Sequence, residues 1–272
     1  YTVMRDYADG ALLLATEIDN ERGVILAEKN LRDYVSTRIW EQELSFLLPD
    51  HLVSQRAPIG TEQVITTAPR DRFVDFYTRY YAPARITFIV SGDMEADAIE
   101  ARIKETFETM TNPDNPGTDP DLGTIPVGTG FRTAVFTNQE LTMENVFFIN
   151  LRPYEPEPDT EAQRIARMPL ELANGIIGRR FGVIGSEIGT PITRGRAFRE
   201  FWFSTMEAGG IELTAVSGRW SEAVTVLESE FRRALEHGFT EYEIQEAKAE
   251  VLNRYEQAVE SASTRDSSSI AS

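Results

Sequence analysis

The stretch Thr111–Gly130, TNPDNPGTDPDLGTIPVGTG, holds four prolines, four glycines and three aspartates in twenty residues and shows no apolar period. Proline removes a backbone donor and fixes φ, while glycine multiplies the open conformations, so neither a helix nor a central strand propagates through such a run. The chain is therefore expected to divide into residues 1–112 and 131–272, joined by a linker at 113–130. Each side then needs a core of its own, and 272 residues at 41% hydrophobic content can supply one large domain or two ordinary ones.

On the first side, helical periodicity runs over Asp6–Ile18 and Glu21–Leu48, with Asn20 as N-cap of the second helix and Pro49 as its stop. Thr61–Thr67, Pro69–Tyr81 and Glu95–Met110 also read as helices, and Ile86–Ser91 as one short apolar strand. A lone strand needs partners, so this side is expected to be an incomplete sheet-and-helix domain. The second side alternates strands at 131–137, 145–151, 198–205 and 211–216 with helices at 160–181, 221–237 and 241–260, and can close its own sheet. The expected class is α+β in two domains, each a mixed sheet packed with helices. The polar tail Ser261–Ser272 is expected to fray or to begin a connection.

Composition removes several functions. Forty-four acids against 27 bases give a net charge of −17, which repels phosphate backbones and anionic lipid, so neither nucleic acid nor a membrane is an expected partner. No run of eighteen apolar residues is present, and the absence of cysteine excludes disulfides and thiolate metal sites. A start at Tyr1 within a helical pattern suggests an excerpted piece of a longer protein.

Glu21 and Glu28 stand two helical turns apart on a stripe with Val24, Leu31 and Val35, which aims both acids at an apolar interior. A buried carboxylate must be paired, protonated or bound to a metal. The residues alone leave other readings open: Glu28 can pair with Arg32 one turn on, and Glu21 can serve as an acid near a helix start. His51 and His237 are the only histidines. His51 is expected in an exposed loop, and His237, before Gly238, at a helix C-terminus. No Ser/His/Asp or Cys/His set can be assembled. Phe198, Phe201, Trp202 and Phe203 read as core or interface residues, and Arg194, Arg196 and Arg199 as local ion-pair partners.

The run ERGVILAEKNLRDYVSTRIWEQELSFLLPD, followed by APIGTEQVI and DRFVDFYTRYYAPARITFIVSGDM, resembles the zinc metallopeptidases of the pitrilysin and insulinase family. GIIGRRF, the segment 198–218 and GRWSEAVTVLESEFRRALEHGFTEYEIQEAKAEVLNRYEQAV resemble the non-catalytic second domain of its large, multidomain bacterial members. In that family an inverted HxxEH motif and a glutamate on a later helix hold zinc, and the motif's own glutamate is the general base. By this resemblance Glu28 matches the metal-ligating glutamate, and Glu21 the acid that orients a ligating histidine. No HxxEH stands in the sequence, so the resemblance implies no catalytic residue here, no activity and no bound zinc for the chain alone, and zinc only in a full-length enzyme. It implies residues 1–112 as the C-terminal part of a catalytic-type domain and 131–272 as the second, non-catalytic domain. It further implies a peptide or unfolded-protein substrate, the remaining domains of the same polypeptide or a partner subunit as neighbours, and a periplasmic or secreted location. The alternative is a non-catalytic scaffold or partner subunit of the same family.

Overall fold

A computed structural model describes residues 1–128 and 130–266. The rest of the Ser261–Ser272 tail lies outside the described residues. Two compact units emerge among the described residues: Tyr1–Thr37 with Leu52–Leu122 and residues 262–266, and Arg38–His51 with Gly123–Ser261.

The first unit is helical among its described residues. It holds α1 (Thr2–Asp9), α2 (Ala15–Leu31), the start of α3 (Val35–Leu47), α4 (Glu62–Thr67), α5 (Arg70–Tyr80) and α6 (Ala96–Phe107). The long helices read from the sequence are broken twice. Gly10 closes α1 by donating to the Asp6 carbonyl, and the chain stays out of helix until Leu14, so Asn20 lies inside α2 and caps nothing. A turn through Arg32–Tyr34 then separates α2 from α3. Ile86–Ser91 joins no ladder and Ile89 is 74% exposed: an apolar run becomes a strand only where a neighbour accepts its hydrogen bonds, and this unit offers none among the described residues.

The second unit carries a three-stranded sheet in the order β1 (Glu144–Pro153), β3 (Met206–Ala215), β2 (Ile192–Trp202), together with α7 (Glu161–Ser186), α8 (Trp220–His237) and α9 (Glu241–Glu260). Helices with a sheet of this kind make the chain an α+β protein. Both ladders are antiparallel, since a tight hairpin joins β2 to β3 and β1 runs along the free side of β3. Residues 131–137, expected as a strand, join no ladder among the described residues, and β1 is one edge of the sheet.

One face of the sheet is the core. Ile192, Ile211, Leu213 and Ala215 pack under Phe181 of α7 and Ala223 and Leu227 of α8, with Val146 and Phe148 at the margin. Burying side chains of this size contributes roughly 1.5–3 kcal/mol each. Gly195 marks how closely α7 lies on β2: a Cβ there would stand 2.2 Å from Leu213 and 2.9 Å from Phe181. On α8 the buried residues are Ala223 and Leu227, whereas Trp220, Phe231 and Leu235 are exposed. Arg180 of α7, 9% exposed, joins the ends of α8 and α9. Its guanidinium takes Glu243 through Nε at 2.6 Å and Nη2 at 3.0 Å, stands 3.7 Å from Glu230, donates to the Gly238 carbonyl and lies over the Phe239 ring. Glu243 also completes a capping box with Thr240 at the start of α9.

The other face carries charge. Arg196 bridges Glu212 and Glu200, and Arg194 donates to Thr214, which donates to Asn145. Residues of α3 from Arg38 onward belong to this unit, and Trp40 meets Trp202 edge to face at 5.1 Å. Burial pushes the Glu43 carboxyl above the usual carboxylate range, and the nearby charge of Glu212 pushes it further.

Candidate metal-ligand site

Glu21 and Glu28 both lie on α2, as their spacing requires, yet the helix contains no buried residue. Glu21 is exposed, Val24 is 57% and Leu31 74% exposed, so the stripe expected to face an interior faces solvent in the described structure. What orients α2 lies on another face: Arg22 donates to the carbonyls of Ile65 and Ala68 across α4, pairs with Asp19 at 2.9 Å and covers the Phe73 ring. Ile18, Ile25 and Leu26 are partly buried, while Val24 and Leu31 stay uncovered. The sequence reading does not single out Arg22, whose only signal is its place beside Glu21.

Glu28 pairs with Arg32 at 2.5 Å, and its side chain remains 43% exposed. Among the described residues no group of three or more His, Cys, Asp or Glu could hold a metal ion. The residues present therefore do not fit a zinc ion: such a site takes at least three protein donors, and Glu28 is a single carboxylate. His51 departs from expectation, being 2% exposed and bridged through its backbone to Gly123. The loop folds back there because Thr124 donates to the Asp50 carbonyl and His51 to that of Leu48. His237 lies in the last turn of α8, and Gly238 follows at φ 66°.

Of the three arginines read as ion-pair partners, Arg196 and Arg199 make such pairs, and Arg194 is held by Thr214. Phe198 is buried, whereas Phe201 and Phe203 are exposed. No helix among the described residues is long and apolar enough to cross a membrane.

Comparison with known proteins places this architecture. The family described as the peptidase M16 inactive domain matches residues 67–178. A probable zinc protease of Escherichia coli, PqqL, is 23% identical over 267 residues, covering 97% of this chain and 28% of the relative, so the chain spans little more than a quarter of that protein. The crystal structure of the first half of the periplasmic protease PqqL from Escherichia coli superposes with a TM-score of 0.86 at 21% identity, over 99% of this chain and 57% of the other. A ferredoxin protease, FusC, solved in complex with Arabidopsis ferredoxin, superposes with a TM-score of 0.70 at 21% identity, over 89% of this chain and 27% of the other. The chain is thus similar to zinc proteases of the pitrilysin and insulinase family, with residues 67–178 matching the peptidase M16 inactive domain.

Proposed function

We propose that this chain serves as part of a zinc-dependent endopeptidase acting on peptides or unfolded proteins, and that Glu28 donates one carboxylate to a metal whose other donors lie outside these residues. The observation that carries the reading is the alignment over 97% of the chain with a probable zinc protease. Glu21, seven residues before Glu28, orients a ligand of that metal in this reading. Residues 1–112 are the C-terminal part of the catalytic-type domain, 113–130 a linker and 131–272 a second, non-catalytic domain. The neighbours are the remaining domains of the same polypeptide or a partner subunit. The location is periplasmic, by analogy with the periplasmic PqqL protease of Escherichia coli.

The uncovered stripe of α2 supports this reading, because a helix carrying Val24 and Leu31 in water has apolar surface to bury against further protein. The test is the sequence upstream of Tyr1 in the natural gene, followed by zinc analysis of the complete product. An HxxEH upstream and one zinc per chain, lost in Glu28→Gln, is the expected result. A complete product without HxxEH and without zinc would make the chain a scaffold or partner subunit instead.

A further inference from the structure

At the end of the sheet next to the β2–β3 hairpin, three arginines surround one carboxylate. Arg152 of β1 and Phe201 of β2 are both register partners of Glu207 on β3. Arg199 donates to Glu207 at 2.7 Å, and Arg167 arrives from α7. The guanidinium groups of Arg199 and Arg167 both lie over the Phe201 ring, 4.9 and 5.6 Å from its centroid, and Tyr154 packs on the same ring at 4.3 Å. Phe201 thus holds two cations toward one place.

Three guanidinium groups act on one carboxylate there. Glu207 is held below the usual carboxylate range by its bond to Arg199, with further help from Arg152 and Arg167, so it stays ionised. Arg152 and Arg167 make no ion pair or hydrogen bond to protein among the described residues, and Arg199 Nε and Thr205 Oγ1 lie out of solvent without partners. The acids of the following loop have partners of their own: Gln163 donates to Glu157, and Arg164 takes Asp159, whose carboxylate also feels the charge of Arg167. In a protein with seventeen more acids than bases, three arginines gathered about one carboxylate stand out.

We propose that this shelf of Arg152, Arg167, Arg199, Phe201 and Tyr154 binds the acidic side chains of a polypeptide segment. A planar guanidinium takes a carboxylate through two parallel N–H bonds, and two such groups on different elements suit two acids along one peptide. Phe201 and Tyr154 provide the flat surface against which the intervening residues lie. The negative surroundings repel the same segment everywhere else, which fixes its position. The site is independent of the metal reading, since it involves neither Glu21 nor Glu28.

The test is fluorescence anisotropy at low ionic strength with the 272-residue chain and rhodamine-labelled tetraglutamate carrying an amidated C-terminus. Tetraglutamine amide and tetraglutamine with a free C-terminal carboxylate are the comparison probes. Tetraglutamate should bind and the tetraglutamine amide should not, with affinity falling as salt rises. The double substitution Arg152→Gln with Arg167→Gln should cost about tenfold, since charged hydrogen bonds are lost. Glu207→Gln should tighten binding several-fold by releasing Arg199. Equal binding of the acidic and amide probes, or unchanged binding by a folded double variant, would overturn the proposal. Should the double variant lose its circular dichroism, the single exposed change Arg152→Gln decides on the same terms. Binding of the free-carboxylate tetraglutamine as tight as that of tetraglutamate would overturn the assignment to side chains.

Discussion

Arg180 on α7 grips Glu243 on α9 with two hydrogen bonds, and the same carboxylate accepts from the backbone N–H and the hydroxyl of Thr240. One side chain therefore both caps a helix and ties it to another. Glu243→Gln should lower stability by about 2–3 kcal/mol, because the guanidinium is left in a poorly solvated place with only the weaker contact to Glu230. Urea unfolding measures it, with the midpoint expected to fall and the slope to hold. Thr240→Ala, which removes the cap alone, should cost about 1 kcal/mol.

Glu243 and Glu43 predict opposite responses to pH. Glu243 is lowered to about 2, chiefly by its bond to Arg180. A folded-state value below the unfolded one means stability that is present above the ordinary glutamate value of 4.5 and lost as pH falls toward 2. Glu43 is raised by burial and by Glu212, so its folded form binds the proton more tightly. Its contribution is fully present below the unfolded value and is lost as pH rises through the folded one. Glu43→Gln should therefore stabilise the protein at neutral pH and flatten the decline above the ordinary glutamate range, while Glu243→Gln flattens the acid limb. Thermal melts from about pH 3 to about pH 8 separate the two.

The hairpin turn Trp202–Thr205 is closed by the Thr205 N–H on the Trp202 carbonyl, and Phe203 and Ser204 both lie in the left-handed region at φ 52° and 56°. That geometry suits Asn-Gly and costs roughly 1–2 kcal/mol per ordinary residue. Phe203→Asn with Ser204→Gly should raise stability by about 1 kcal/mol. No rise in the melting temperature would mean that the turn is not strained as described.

Glu28 and Glu21 should differ in the complete protein. Glu28→Gln should abolish zinc retention, whereas Glu21→Gln should weaken it on the order of 10 to 100-fold. Metal analysis after dialysis checks the order. The 272-residue chain alone should hold no stoichiometric zinc.

The helices of the second unit are legible in the sequence because their caps and periods are local: Thr160 and Thr240 accept from the third residue after them, and Gly238 closes α8. Strand β2 is legible only from Phe198 although it begins at Ile192, because residues 192–197 alternate arginine with small residues. There, the ion pair of Arg196 with Glu212 replaces apolar alternation, and that pair exists only once β3 is in register. The hairpin is hidden for a similar reason, its turn residues being Phe and Ser. The stripe of Glu21 and Glu28 follows from helical geometry, but its burial depends on what packs against it, which no spacing encodes.

The chain has three tryptophans, and two of them, Trp40 and Trp202, stand edge to face at 5.1 Å, while Trp220 is exposed. Two indoles this close couple their strong far-ultraviolet transitions, so α3 on the sheet writes its own signature into the circular dichroism. Peeling that helix segment away would erase the couplet while the emission of Trp220 stayed as it was. The second unit thus carries a built-in optical gauge of one packing contact, readable without a label and distinct from the loss of helix that accompanies global unfolding.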